Sequence, residues 1–207
     1  MRAILPALVS VLVVTTGCGA AAGDGPERAS VVFADNCGKC HGVDGHGKKE
    51  IAAPGIAGLP DWYVEAQLGK FRDGVRGAHG SDIEGLRMRP MSRTVDRSEF
   101  PALAQYVASL PPAPEESERM GKADAGKSYY AACAACHGPE GKGNKAMNAP
   151  PIGMLQSWYV ETQLKKFRGG VRGAHPDDKT GQQMAPMART IPSDEAVTDL
   201  SAYVSSL

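Results

Sequence analysis

The sequence predicts an all-α protein made of two tandem domains. Residues 37–95 align with residues 133–191 without a gap at an offset of 96, so one plan occurs twice. Apolar residues in each copy recur at helical spacing, and no segment shows the alternation that is typical of strands. A period of this length indicates domain duplication rather than a solenoid, and 207 residues suffice for two small cores. We expect the domains at 27–110 and 120–207, joined by a linker at 111–119.

The first eighteen residues, MRAILPALVSVLVVTTGC, predict an export signal peptide. One early charge precedes an apolar run of about a dozen residues, which is too short to span a bilayer. The ending Thr-Gly-Cys resembles the lipobox of bacterial lipoproteins, in which Cys18 is lipidated and becomes the new N-terminus. Cleavage after a small residue between Ala20 and Gly23 is the alternative. The mature chain is exported in both cases.

The composition favours a bound group in the cores and no strongly charged partner. Lys plus Arg and Asp plus Glu both total 23, so no net field argues for nucleic acid or for an anionic membrane. Aromatic residues make up 6% of the chain, whereas Gly and Pro make up 25 and 15 residues. Small domains commonly offset a thin core with disulfides, a metal or a bound group. A large flat cofactor would meet that need.

The first predicted helix of each copy leads into a cysteine cluster, CGKCH or CAACH. This helix has a weak apolar pattern, with Phe33 and Tyr129 on its buried side. A disulfide within Cys-x-x-Cys is expected beside a βαβ pattern, which is missing, and structural zinc needs four ligands where each cluster supplies three. Covalent haem c uses all three residues, because the thiols bind the vinyl groups and the histidine binds the iron. The expected haem-binding residues are Cys37, Cys40, His41, Cys133, Cys136 and His137.

The segment after each cluster fits the same interpretation. Glycines after His41 and His137 would let the backbone pass close to the haem edge, where a Cβ would collide. Pro54 and Pro150 each lie thirteen residues past a histidine. A loop there is well placed to offer a carbonyl to the second imidazole nitrogen, as iron-binding histidines require.

A second predicted helix follows in each copy. Asp61 and Ser157 stand just before its apolar pattern and are expected to cap it, and Gly74 and Gly170 are expected to end it. Its apolar residues stand at i, i+4 and i+7: Val64, Leu68 and Phe71, then Val160, Leu164 and Phe167.

A Met-x-x-Met segment and one further histidine precede the last helix of each copy, and they supply candidates for the sixth iron ligand. A thioether opposite histidine raises the reduction potential and suits electron transfer, whereas an open position suits peroxide or small-ligand chemistry. Both methionines lie far enough past the cluster to reach the other face of a haem. The candidates are Met88, Met91 and His79, with Met184, Met187 and His175.

The last helix is predicted from an apolar pattern in each copy. In the first copy Pro101 belongs in the first turn, so Ser98 is the expected cap. The patterned residues are Leu103, Val107 and Leu110, with Leu200, Val204 and Leu207.

Together these segments resemble the dihaem cytochromes c4 over nearly the whole mature chain. The resemblance rests on the Cys-x-x-Cys-His-Gly starts, the stretch Pro54 to Gly58, the helix Tyr63 to Arg76, and a methionine loop before a last helix ending Ala-x-Tyr-x-x-x-Leu. It implies two tandem cytochrome c-like domains, each wrapped around one covalently attached haem c. The implied axial ligands are His41 with Met88 and His137 with Met184, while Met91 and Met187 pack in the haem pocket. His79 and His175 lie outside the family's ligand set.

The resemblance also implies a function, namely a bacterial periplasmic electron carrier of a respiratory chain. Its partners would be redox proteins such as a quinol-oxidising complex or a terminal oxidase, and lipidated Cys18 would tether it to the membrane. An electron-accepting cytochrome subunit of a dehydrogenase, of the flavocytochrome type, stays open as an alternative. A dihaem enzyme such as a peroxidase or a thiosulfate dehydrogenase is the third hypothesis. The two copies match at every ligand-candidate position, which argues against an enzyme that uses one haem as its active site.

Overall fold

The computed structural model describes residues 25–114 and 119–207. These residues form helices joined by turns, with two isolated β-bridges, Lys48 to Ala53 and Asn144 to Ala149. The predicted all-α class is confirmed. The predicted signal peptide with Cys18, and residues 115–118 of the predicted linker, lie outside the described residues. No helix in the described part of the chain is long and apolar enough to cross a membrane.

Each domain is a small cluster of helices that packs around the last helix of its copy. The helices of domain 1 are α1 (Pro26–Val32), α2 (Gly38–His41), α3 (Asp61–Arg72), α4 (Ile83–Arg93) and α5 (Phe100–Ser109). Those of domain 2 are α6 (Ala123–His137), α7 (Ser157–Arg168), α8 (Lys179–Arg189) and α9 (Asp194–Val204). In domain 1, α1 and α3 both pack against α5, and α4 packs against α3. In domain 2, α6 and α7 pack against α9, and α8 packs against α7.

The first helix of each copy differs in the number of residues between its buried aromatic residue and the first cysteine. In domain 1 a π-helical turn, Phe33–Cys37, connects α1 to α2, whereas α6 is α-helical throughout. The wide turn places one more residue between the core aromatic and the first cysteine. The residue equivalent to Phe33 is therefore Tyr130, which is 3% exposed, and not Tyr129, which is 38% exposed. The prediction that Tyr129 faces the core is wrong for this reason.

The cores use four of the six residues that the last-helix patterns predicted, whereas Leu110 and Leu207 lie beyond the ends of α5 and α9 and Leu207 is 38% exposed. Leu103 and Val107 are buried together with Phe33, Val95 and Phe100. In domain 2 the buried cluster contains Tyr130, Val160, Ile191, Val197, Leu200 and Val204. The ring centroids of Phe33 and Tyr106 lie 5.3 Å apart and those of Tyr130 and Tyr203 lie 5.4 Å apart, with the rings of each pair inclined by 57° and 60°. The two cores are thus built alike.

The Met-x-x-Met segments are helical, so the prediction of a loop there is wrong. They form α4 and α8, each of which contains a proline, Pro90 or Pro186. An internal proline ordinarily ends or kinks a helix, yet both helices continue past it. Asp82 and Asp178 cap the two helices by accepting hydrogen bonds from the backbone nitrogens of Gly85 and Gly181.

Three predicted caps are also displaced. Helices α3 and α7 begin at Asp61 and Ser157, one residue earlier than a capping role allows. Before α5, Asp96 and Glu99 form a reciprocal capping box around the short 3-10 turn Arg97–Glu99, and Ser98 lies inside that turn. Gly74 and Gly170 do follow the second helix with positive φ, as predicted.

Candidate haem sites

Each cluster histidine is fixed through one ring nitrogen. Nδ1 of His41 lies 2.8 Å from the carbonyl oxygen of Pro54, and Nδ1 of His137 lies 2.8 Å from that of Pro150. Because a carbonyl only accepts, Nδ1 donates its proton and the neutral ring keeps a free lone pair on Nε2. Burial lowers the pKa of both imidazoles, although the bond to the carbonyl acts in the opposite direction. Both rings therefore favour the neutral, iron-binding form, and the predicted role of the two prolines is confirmed.

A tight loop brings each proline carbonyl to its histidine. The backbone nitrogen of Gly47 donates to the carbonyl of His41 at 2.7 Å, and the Lys48–Ala53 bridge closes the loop. Gly47 has φ of 87°, and a Cβ there would lie 2.4 Å from the backbone nitrogen of Gly55. Gly143 repeats this contact beside Pro150. These glycines therefore serve loop closure, a role in addition to the clearance that the sequence suggested.

The first cysteine of each cluster, Cys37 or Cys133, is in surroundings that favour the protonated thiol. Cys37 and Cys40 line the same cavity as His41. Burial, together with repulsion from Cys40, raises the pKa of Cys37 to about 11, and burial also raises the pKa of Cys133. A thiolate-binding metal site instead needs deprotonated sulfur. Among residues 25–114 and 119–207, no group of three or more His, Cys, Asp and Glu side chains is arranged to hold a metal ion.

The residues of domain 1 enclose space that fits a flat apolar macrocycle. Two adjoining cavities, each about 900 Å³, share His41 and Met88 in their walls. Imidazole and thioether thus both face space that the covalent attachment points also border. The remaining wall is mostly apolar and includes Ile56, Val64, Leu68, Leu103 and Val107.

The two methionines of each segment differ in their surroundings. Met88 lines both cavities of domain 1, whereas Met91 lines one of them. In domain 2, Met184 is half-buried against Phe167, and Met187 is 41% exposed. These placements favour Met88 and Met184 as the inward-facing sulfurs.

His79 and His175 lie together in a different place. Both line a cleft of about 700 Å³ between the domains, which shares Arg76 and Asp82 with one domain 1 cavity, but neither histidine lines the domain 1 cavities themselves. Their Nδ1 atoms accept hydrogen bonds from the backbone nitrogens of Ser81 and Asp177. Because Nδ1 accepts such a bond, its lone pair is occupied, and the neutral ring carries its proton on Nε2. Neither ring nitrogen then has a free lone pair for iron.

A polar network between the domains was not predicted from the sequence. Arg76 donates to Gln67 at 2.9 Å, to Tyr159 of domain 2 at 3.0 Å and to Gln163 at 3.2 Å. Arg172 returns the contact, at 2.8 Å to Gln163 and 3.4 Å to Gln67. The equal offset of 96 between Gln67 and Gln163, and between Arg76 and Arg172, was the available signal.

This network also borders the domain 1 cavity, so domain 2 closes it. Gln67, Arg76, Tyr159 and Gln163 all line that space. The Nε atom of Arg172 is buried and has no hydrogen-bond partner within the described residues. A buried guanidinium nitrogen without a partner is stabilised by an anion. The propionates of a haem are carboxylates, which are anions of this type. Arg76 lines the domain 1 cavity and Arg172 lines the cleft between the domains, so guanidinium groups border the space that a haem would fill.

Comparisons with known proteins agree with this geometry. The family model for cytochrome c matches residues 26–111 and again 123–207. Cytochrome c4 of Azotobacter vinelandii is 30% identical, covering 97% of this chain and 98% of its own. The thiosulfate dehydrogenase electron acceptor of Thiomonas intermedia is 29% identical, covering 85% of this chain and 82% of its own. The structure of Acidithiobacillus ferrooxidans cytochrome c4 superposes with a TM-score of 0.69 at 28% identity, covering 84% of this chain and 99% of that one.

Proposed function

Because the chain belongs to the cytochrome c family, as a dihaem electron-transfer cytochrome of the c4 type with two covalently bound haem c groups, we propose that each domain holds its haem between a histidine and a methionine. The observation that carries this proposal is the pair His41 and Met88 in the wall of one cavity, with Nδ1 of His41 already engaged by Pro54. The thioether residues are Cys37, Cys40, Cys133 and Cys136. The iron ligands are His41 and Met88 in domain 1, and His137 and Met184 in domain 2.

Each of these residues has a defined task. The bound haem iron supplies a reversible one-electron couple. The Pro54 and Pro150 carbonyls orient the imidazoles, the methionine sulfur favours the reduced state, and the apolar cavity wall keeps water away. Two protein ligands on each iron leave no open position for a substrate. The protein therefore passes single electrons and is not itself an enzyme.

The proposal also includes the bounds of the domains and the export of the protein. The domains extend over 27–110 and 120–207 with a linker at 111–119. Residues 1–18 direct export to the periplasm, where the protein serves a respiratory chain. Lipidation of Cys18 would tether it to the membrane, and its mature mass distinguishes the tethered from the free form.

The reaction with carbon monoxide tests ligation at both irons. The reduced protein is expected to bind no carbon monoxide promptly at neutral pH, because a histidine and a methionine occupy both axial positions. The measurement is the change in the visible spectrum of the reduced protein on mixing with the gas. Prompt binding at either haem would favour an enzyme with one open iron, and the Met88→Ala variant provides a positive control for an opened site.

A second candidate function is that of electron acceptor for a dehydrogenase. The relative from Thiomonas intermedia carries that role in its name and matches 85% of this chain. The two functions differ in what reduces the haems. Reduction by thiosulfate only in the presence of a thiosulfate dehydrogenase supports the acceptor role, and reduction by a quinol-oxidising complex alone supports the general carrier. Reduction by thiosulfate without a second enzyme would contradict both.

The mouth of the domain 1 cavity and the equivalent surface of domain 2 differ in charge, which bears on the choice of partner. Around Cys40, Lys48 donates to the carbonyl of Lys39 at 2.9 Å, and Arg87 donates to that of Ile51 at 2.8 Å. With Lys49, four exposed cations lie near this mouth, and Glu50 and Glu84 are among the acids beside them. The positions 96 residues later hold one cation; they are Ala135, Asn144, Lys145 and Gln183. We therefore assign docking of an acidic redox protein to domain 1.

Neutralising this mouth is expected to slow electron transfer from an acidic partner. With a reduced flavodoxin as the acidic probe, the double variant Lys48→Gln/Lys49→Gln should react about fivefold to tenfold more slowly at low salt, because electrostatic steering is lost. The difference should vanish at high salt. Stopped-flow spectroscopy measures the rates, and Lys145→Gln in domain 2 is the matched control. Equal slowing by the control, or a rate that salt does not change, would refute the assignment.

A further inference from the structure

Two lysines cross the domain interface to the helices that bear the methionines. Lys166, on α7 of domain 2, lies 2.5 Å from the carboxylate of Asp82 and 2.5 Å from that of Glu84. Lys70, on α3 of domain 1, lies 2.6 Å from Asp178 and 2.6 Å from the hydroxyl of Thr180. The two contacts are related by the same offset of 96, so each domain reaches into the other in the same way.

The aspartates that receive these lysines are the N-caps of α4 and α8. Asp82 Oδ1 accepts from the backbone nitrogen of Gly85 at 3.2 Å and from Lys166 at the same time. Asp178 Oδ1 does likewise with Gly181 at 3.1 Å and with Lys70. Although burial acts in the opposite direction, the lysine bonds hold the pKa of Asp178 and Glu84 below their usual ranges. Asp82 and Asp178 thus each cap a helix and also bind a lysine across the domain interface.

The start of each methionine helix has little room to adjust. Asp82 is 2% exposed, and a Cβ on Gly85 would lie 2.1 Å from its Oδ2. A Cβ on Gly77 would lie 2.3 Å from the carbonyl oxygen of Gly85, so the preceding turn is packed against the same point. Met88 follows Asp82 by six residues on one helix, roughly 9 Å along its axis. A shift of the cap is therefore carried to the sulfur by a rigid element.

We propose that Lys166 and Lys70 are positioning residues, each of which holds the methionine helix of the opposite domain in place for iron ligation. The proposal rests on the proposed function, in which Met88 and Met184 are the ligands. Loss of Lys166 leaves the buried Asp82 carboxylate without its hydrogen-bonded counter-ion, and only the longer-range charge of Arg76 remains nearby, so the cap must move or take up water. Each haem thereby senses the packing of the other domain, which couples the two sites reciprocally.

Lys165, the neighbour of Lys166 on α7, makes its ion pair within its own helix and not across the interface. It pairs with Glu161 of its own helix at 2.6 Å and is largely exposed. Lys166 is 12% exposed in its side chain and also lines the domain 1 cavity. Lys165→Gln therefore removes the same charge one residue away and serves as the matched control.

The test uses the full dihaem protein in two backgrounds that isolate one haem each. In a Met184→Ala background, the remaining methionine-to-iron charge-transfer band of the oxidised protein belongs to domain 1. Lys166→Gln is expected to weaken that band by about half or more, because ligation tolerates only sub-ångström displacement. In a Met88→Ala background, where the band belongs to domain 2, Lys166→Gln should leave it unchanged and Lys70→Gln should weaken it.

Two further variants separate positioning from a direct charge effect or from misfolding. Lys166→Arg keeps the ion pair and should restore the band, at unchanged haem content. In a double-mutant cycle, Asp82→Asn and Lys166→Gln should not be additive, because both act through one contact. An unchanged band in Lys166→Gln, equal weakening by Lys165→Gln, or additive effects would overturn the proposal. If Met184→Ala and Met88→Ala themselves leave the band intact, the ligand assignment fails instead.

Discussion

Replacing Met88 with alanine is expected to remove about half of the methionine-to-iron charge-transfer band of the oxidised protein, and replacing Met184 should remove about the other half. In the proposed ligation each thioether serves one of the two iron centres, so each variant would lose one contribution. The haem that loses its thioether should also show a lower reduction potential, since methionine opposite histidine raises it. Absorbance at the red end of the visible spectrum, followed during a redox titration, measures both changes.

Met91→Ala and Met187→Ala are the matched controls for this result. They remove the same side chain three residues further along the same helices. Because Met187 is exposed and Met91 borders only one of the two cavities, both variants should keep the band. Loss of the band from either control, with retention in Met88→Ala or Met184→Ala, would show that the other sulfur of the pair binds iron.

Substitution of Gly47 by alanine is expected to destabilise domain 1 by about 3 kcal/mol or more. The new Cβ meets backbone atoms of Pro54 and Gly55 at 2.5 and 2.4 Å, and φ of 87° disfavours a side chain. The loop must open, which moves the Pro54 carbonyl away from His41. Gly143→Ala should act in the same way on domain 2, where Pro150 is the neighbour. Denaturant unfolding followed by the haem absorbance measures the loss.

The control for backbone strain is another glycine of the same domain. Gly69 lies inside α3, and nothing lies within 4 Å of a Cβ built on it. Gly69→Ala should stabilise the protein by about 0.5 to 1 kcal/mol, because alanine loses less backbone freedom in a helix. Equal effects of alanine at Gly47 and at Gly69 would mean that the loop does not need its glycine.

Local patterns were sufficient to predict the part of each site that is built from one stretch of chain. The clusters at Cys37 and Cys133 and the proline carbonyls thirteen residues beyond each histidine needed only spacing and ligand chemistry. The apolar spacing of α5 likewise predicted that Leu103 and Val107 are buried. These features depend on neighbours within a turn or a short loop.

The features that were missed depend on geometry that the spacing does not report. The π-helical turn after α1 makes Tyr130 the partner of Phe33, although a fixed offset pairs Phe33 with Tyr129. The resemblance implied a loop at Met88 and Met184, whereas Asp82 and Asp178 cap helices that continue through Pro90 and Pro186. The contacts of Lys70 and Lys166 join residues 108 and 84 positions apart, which no local pattern can indicate.

The reciprocal contact between Lys70, Lys166 and the two cap aspartates means that each half of the chain carries both members of a self-complementary pair. The protein is thus equivalent to a symmetric homodimer whose subunits are joined by a peptide tether. A tether of this kind keeps the subunits at a high effective concentration, so the interface needs little apolar area of its own. Because little apolar area is needed, the contact between the domains can be made of charged and amide groups. The interactions of such groups respond to the charge on the neighbouring cofactors.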